Sequence, residues 1–404
     1  MAVAAGLERQ AGRLVLRGIG LMLSGDLAAP LLDADCLVAE AGRIVAVGRE
    51  RDLDTAGASV VIDVQGAAVA PGLIDNHVHT VFGDWTPRQN QLGWIESCLN
   101  GGVTTMVSAG EVHLPGRPRD PVGAKALAIV ARKAFANMNP HGVTVIAGAV
   151  IPERGLAEAD FTEMAAAGVC LMGEIGLGSV VEAEEARQMV AWARAANMTT
   201  CTHVGGPSVP GSSYIGADVV LAADSDVCSH INGGPTSLDT AQLDRIMAGT
   251  SRAVEIIHNG NPRTAIHALN TMLALAKEAQ ITIGTDAPAG SGVQPLGMLR
   301  TISLLCSLGG ADPARAWAYA TGNVARVRRL ESGTIAVGRA ADLVIMDRPQ
   351  GSNHGSAGAD VLGALSAGNL PGIGAVITGG VVRITRSRNT PPAERQPTIT
   401  RHAA

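Results

Sequence analysis

The sequence predicts an α/β protein in which a (β/α)8 TIM-like barrel interrupts a small β-sandwich built from both chain ends. Three observations predict it. The middle of the chain alternates eight short apolar runs with Ala-rich amphipathic stretches, the pattern of a parallel barrel wrapped in helices. Short β-branched runs bounded by Gly or Asp occupy both ends. Ligand-type side chains close five of the eight runs, and barrel enzymes carry their chemistry at strand carboxyl ends.

At the amino-terminal end, residues 13–17, 35–39, 42–48 and 60–64 read as strands. The same texture returns at 333–338, 341–347 and 373–382. One sandwich, composed of residues 1–70 and 333–404, accounts for both ends most economically. The tail from about residue 386 carries Pro391, Pro392 and Pro397 among polar residues and reads as an extended arm. Residues 71–332 form the expected barrel domain. Its strands read at 72–79, 103–108, 143–149, 169–174, 199–204, 226–231, 253–258 and 281–286. Stretches 122–137, 183–197 and 264–280 are among the helices between them.

Composition bounds the class. Hydrophobic residues make up 47% and charged residues 17% of the 404, as in a well-buried enzyme. Aromatics are only 2%, so Ala, Val, Leu and Ile must fill the core. A net charge of -5 provides no basic surface, and no nucleic-acid partner is expected. The six cysteines are scattered without a CxxC pair, which favours a reducing, cytoplasmic setting. Residues 1–13 lack the apolar segment of a signal peptide, and no run reaches the roughly 18 apolar residues of a membrane span. The expectation is a soluble protein with no membrane partner.

The chemistry starts at His77-Val78-His79, at the end of the first barrel run. Residues two apart in a strand share a face, so the two imidazoles form one wall of a metal cage. Glu174, His203, His230 and Asp286 close the fourth, fifth, sixth and eighth runs. Four imidazoles and two carboxylates exceed the three protein ligands of a usual catalytic zinc. Two ions fit the count better, with His77, His79 and Asp286 on one, His203 and His230 on the other, and Glu174 between. Such mixed ligation suits zinc, iron, manganese or nickel, and spacing does not choose among them. Each residue has an ordinary alternative: Asp286 as a helix cap, Glu174 as a buried structural carboxylate, a lone histidine as core or surface.

At these positions the chain resembles the amidohydrolase superfamily. The match includes the lead-in Pro71-Gly72-Leu73-Ile74-Asp75 before the two histidines, Gly284-Thr285-Asp286 at strand 8, and the late stretch 333–345. Many binuclear members bridge their metals with a carbamylated lysine at the end of strand 4. Here the only lysines are Lys125, Lys133 and Lys277, all in expected helical segments, and Glu174 occupies the bridging place. That glutamate and the stretch 258–263 resemble the enamidase branch. The HxxE of the cytosine-deaminase branch is absent, since His203 is followed by Val204, Gly205 and Gly206.

The resemblance implies two divalent metal ions, zinc or zinc with iron, and hydrolysis of the C–N bond of a small cyclic amide. It implies 6-oxo-1,4,5,6-tetrahydronicotinate as substrate, 2-formylglutarate and ammonia as products, and a homotetramer. Asp286 would shuttle the proton, and His258, Arg263 and His113 are candidate substrate contacts. The alternatives are a dihydroorotase-, hydantoinase- or imidazolonepropionase-like enzyme, a deaminase or deacylase, and a barrel without catalysis.

Overall fold

The computed structural model describes residues 12–80, 88–111, 116–209, 211–288, 292–351 and 360–402. The expected barrel is present. Its strands are Leu73–Val78, Val103–Ser108, Thr144–Ile146, Leu171–Ile175, Thr199–Thr202, Val227–Cys228, Ala253–Ile257 and Ile281–Gly284, numbered 1 to 8 below. Strands 1 to 3 pair in parallel, as do strands 4 to 8. Parallel bridges from Val150 to Met172 and from Val78 to Ala287 join the two arcs into a ring. A helix follows every strand, from Arg88–Leu99 after strand 1 to Gly297–Ser307 after strand 8.

Both chain ends contribute to two further sheets. One has the order Thr398–Arg401, Val60–Asp63, Arg13–Arg17, Cys36–Glu40, Arg43–Gly48. The other runs Val381–Ile384, Gly372–Thr378, Leu343–Asp347, Ala68–Pro71, Leu21–Leu23, Leu31–Leu32. The second sheet is a shared wall. Val69, Leu343 and Ile345 pack with Leu14, Leu16 and Ile62 of the first sheet. Ala68, Ala70, Val344 and Met346 face the barrel helices instead. Successive residues alternate between the two cores, so Leu343–Asp347 is buried throughout and reads as an unbroken apolar run.

The structure departs from the expected elements in four places. Residues 333–338 are turns rather than a strand: Gly333 and Gly338 adopt φ of +85° and +86°, and Ile335 N–H and Gly338 N–H donate to Ser24 and Ile44 carbonyls. The run 373–382 is a hairpin, folded at Gly379 and Gly380, which both have positive φ. The helix expected to reach 280 ends at Ala274, because Ala276 turns left-handed and Lys277 N–H returns to the Met272 carbonyl. Finally, the expected carboxy-terminal arm supplies the edge strand Thr398–Arg401.

Candidate metal centre

Strand geometry brings the six expected ligands to one end of the barrel. His77 and His79 end strand 1 on a common face, their Nε2 atoms 3.2 Å apart. Strand 8 lies close beside them because Gly284 has no side chain. A Cβ there would sit 2.7 Å from His77 Cβ and 3.0 Å from its backbone nitrogen. Asp286 N–H donates to the His77 carbonyl and His79 N–H to that of Ala287, so two backbone bonds set the relative height of the strands. Asp286 is held at φ +58°, a region that aspartate tolerates at a cost. Its Oδ1 lies 3.1 Å from His79 Nε2 and 3.5 Å from His77 Nε2.

Glu174 reaches the same point from strand 4. The pairing of strands 4 and 5 slips between Met172 and Glu174, leaving Gly173 as an extra residue. A Cβ on Gly173 would meet the Ala109 carbonyl oxygen at 2.8 Å, so this bulge requires glycine. The bulge alters the backbone approach of strand 4 at Glu174. Glu174 Oε2 lies 3.7 Å from His77 Nε2, and Oε1 lies 2.9 Å from His230 Nε2. His203 turns Nε2 onto the Gly206 carbonyl, 2.8 Å away, and presents Nδ1 to His230 Nε2 at 3.0 Å.

Two groups of three donors therefore converge, His77 with His79 and Asp286, and His77 with Glu174 and His230. His77 belongs to both, whereas the sequence reading placed it on one ion alone. His203 extends the second group through His230. The donor set fits divalent metal. Ligands about 2.0–2.1 Å from a tetrahedral zinc stand roughly 3.3 Å apart, close to the spacings found here. Glu174 Oε1 is buried, and the polar group nearest it among the described pairs is His230 Nε2 at 2.9 Å.

The electrostatics favour a cation. Burial pushes the His77 imidazolium down, but Glu255, Glu174 and Asp286 outweigh it and lift its pKa to about 10. Burial would raise Glu174 and Asp286, yet the facing imidazoles, His77 foremost, draw both carboxyls below their ordinary values. His203 drops to about 4, through burial and the charge of His230. The His77 imidazolium therefore sits among ionised carboxylates, and a divalent ion would replace its positive charge.

Neither donor group includes His258 or Arg263. His258 follows strand 7 beside Gln294 and Arg300, where burial and then the Arg300 charge lower its pKa. Arg263 is exposed in the first turn of helix Pro262–Ala274. His113 lies outside the described residues. Lys125 and Lys133 lie on helix Pro121–Ala136; Lys277 lies past a helix end and donates to the carbonyls of Met247, Ala248 and Thr250.

Sequence reasoning missed four buried polar residues. Asp75 accepts from Thr285 N–H at 2.8 Å and from its hydroxyl at 2.6 Å, tying strand 1 to strand 8. Glu255, inside the apolar strand 7, accepts from His77 Nδ1 at 2.6 Å and Asn76 Nδ2 at 2.5 Å. Arg328 donates through Nε to Asn76 Oδ1 at 2.6 Å. For Asp75, Asn76 and Glu255 the available signal was a charged or amide side chain within an apolar strand, which must find a partner; Arg328 ends a helix and carries no such signal.

The amidohydrolase family matches residues 68–370. Enamidase from Eubacterium barkeri is 46% identical over 381 residues, covering 94% of this chain and 98% of that protein. A crystal structure of enamidase at 1.9 Å superposes with a TM-score of 0.91 at 45% identity, covering 96% of this chain and 100% of the other. Imidazolonepropionase from Anaeromyxobacter sp. (strain K) is 24% identical over 84% of this chain and 90% of its own length. A barrel with ligand-type side chains at its strand ends, a sandwich from both chain ends, and these full-length likenesses place the chain in the amidohydrolase family.

Proposed function

We propose that this chain is an enamidase, a two-metal hydrolase that opens 6-oxo-1,4,5,6-tetrahydronicotinate. The observation that carries the reading is the 46% identity to enamidase over 94% of the chain, with Glu174 in place of a bridging lysine. The ligands are proposed as His77, His79 and Asp286 on one ion and His203 and His230 on the other. Glu174 offers one oxygen to each side, and zinc, alone or with iron, is the proposed metal.

When bound, two divalent ions in this donor set supply Lewis acidity, polarising the amide carbonyl and making water nucleophilic near neutral pH. The chain's own residues handle the proton. Asp286 has 22% of its side chain exposed, against 1–7% for His77, His79, Glu174 and His230. It is the carboxylate of the cluster that a substrate can reach. Its low pKa leaves it ionised and able to accept a proton from the attacking water. Transfer of that proton to the ring nitrogen makes a poor leaving group a good one, a contribution of roughly 10²–10⁴-fold. The C–N bond then breaks to an enamine, which tautomerises to an imine; a second water releases ammonia and leaves 2-formylglutarate. The His203–Gly206 hydrogen bond keeps that imidazole oriented. Arg263 is the proposed partner of the substrate carboxylate, with His258 and His113 as further proposed substrate contacts.

Among the described residues, no helix is long and apolar enough to cross a membrane. A cytoplasmic homotetramer is the proposed state, testable by light scattering. The activity test is incubation of the purified chain with 6-oxo-1,4,5,6-tetrahydronicotinate, following ammonia and aldehyde together. Equimolar release of both is expected. Opening of a hydantoin, dihydroorotate or imidazolone, with no ammonia from the tetrahydronicotinate, would reject the enamidase reading.

A further inference from the structure

Beneath the ligand cluster lies a chain of buried hydrogen bonds whose direction is set from one end. Arg328, the last residue of helix Gly322–Arg328, is buried within the barrel and donates through Nη1 to Thr199, the first residue of strand 5. A guanidinium only donates. Its Nε points at Asn76, so the atom facing it at 2.6 Å must be the amide oxygen, and Asn76 Nδ2 must face the other way. That nitrogen donates to Glu255 Oε1 at 2.5 Å. Glu255 Oε2 then faces two more groups, His77 Nδ1 at 2.6 Å and the backbone N–H of His230 at 3.3 Å.

Three donors thus converge on one carboxylate, and both of its oxygens must accept. Metal binding requires His77 to give up one proton, and the proton it keeps must sit on Nδ1 to meet Glu255. The Nε2 lone pair of His77 is left facing His79 and Asp286. We propose that Arg328, Asn76 and Glu255 form a relay that holds His77 in the Nδ1–H tautomer, with Glu255 the positioning residue for the metal position shared by His77, His79 and Asp286. The inference rests on the metal-centre reading above and adds which residues prepare one of its two positions. It also explains why strand 7, which contributes no proposed ligand to either ion, carries a fully buried charge.

Glu255→Gln tests it. Glutamine keeps the shape but has one accepting atom. Its amide NH2 must then confront either Asn76 Nδ2, whose orientation Arg328 fixes, or His77 Nδ1. The second arrangement drives the proton to Nε2 and blocks a ligand. Zinc affinity, measured by competition with a chromophoric chelator, is expected to fall about 10–100-fold for one of two ions. The other ion is expected to bind as in the unaltered protein. Two ions held at unaltered affinity in a folded Glu255→Gln protein would overturn the relay. If that variant does not fold, the unaltered protein still decides. Long-range ¹H–¹⁵N correlations on zinc-loaded ¹⁵N-histidine protein should show His77 protonated at Nδ1 and not at Nε2. A proton on Nε2, with Nδ1 taking the metal, would overturn the proposal. Unaltered protein that takes up no zinc would instead remove the metal-centre reading, and the relay with it. Zinc uptake without ammonia release touches the substrate assignment alone.

Discussion

Glu111→Gln should abolish a pH-dependent loss of stability. Glu111 stands just beyond strand 2, 3% exposed, with Oε1 accepting the Gly148 N–H at 2.6 Å and its own N–H donating to the Ala149 carbonyl. Burial pushes its carboxyl from 4.5 up to about 7, against the downward pull of the Gly148 bond. In the unfolded chain the group titrates near 4.5, so between these values the folded state binds the extra proton. The stabilisation is complete below pH 4.5, declines as pH rises, and is gone above pH 7. At about 1.4 kcal/mol for each pH unit, the gap from 4.5 to about 7 amounts to about 3 kcal/mol. A glutamine carbonyl can still accept from Gly148 and never ionises. The assay is urea unfolding of both proteins, zinc-saturated, at a series of pH values from about 5 to 8. The stability of the unaltered protein should fall relative to Glu111→Gln by about 3 kcal/mol and then level off. Parallel curves would refute the reasoning, since they would mean that the carboxyl ionises at the same pH folded and unfolded.

Other perturbations bear on the centre and its scaffold. Asp286→Asn should lower kcat by about 10²–10⁴-fold in zinc-loaded protein, because the amide cannot carry the proton to the leaving nitrogen; unchanged kcat would remove that role. Gly284→Ala places a Cβ 2.7 Å from His77 Cβ and 3.0 Å from its backbone nitrogen. It should cost about 1–3 kcal/mol in thermal unfolding and reduce zinc uptake. Glu174→Ala should leave at most one zinc per chain by elemental analysis, and retention of two would exclude a bridge. Lys277→Met removes donors to the carbonyls of Met247, Ala248 and Thr250 and should destabilise by about 1–3 kcal/mol without altering metal content.

The barrel was legible because its strands are short apolar runs and its helices carry a 3.6-residue pattern; all eight runs coincide with observed strands. Elements governed by left-handed residues were not. A β-branched run with glycines at both ends looks like a strand until Gly333 and Gly338 are seen to turn it. The run 373–382 has one apolar pattern but two strands, since the Gly379–Gly380 reversal leaves that pattern intact. The segment 264–280 continues its helical periodicity past the point where Ala276 reverses the chain. Among candidate contacts, His258 lies in the loop after strand 7, where no period constrains the side chain, and Arg263 in the exposed first turn of the helix that follows.

The donor chemistry is written in the residues themselves. Period-two spacing puts His77 and His79 on one face, and strand-end positions bring Glu174, His203, His230 and Asp286 to the same mouth. Only the tertiary structure decided how those donors are prepared. Gly173 bulges strand 4 so that Glu174 reaches two imidazole groups, and Gly284 lets strand 8 close against strand 1. The carboxylate on His77 Nδ1 comes from a residue 178 positions away. A strand's own residues dictate which side of the sheet a ligand faces. Which of its nitrogens holds the proton depends on the charge packed behind it, and that contact exists only once the barrel has closed.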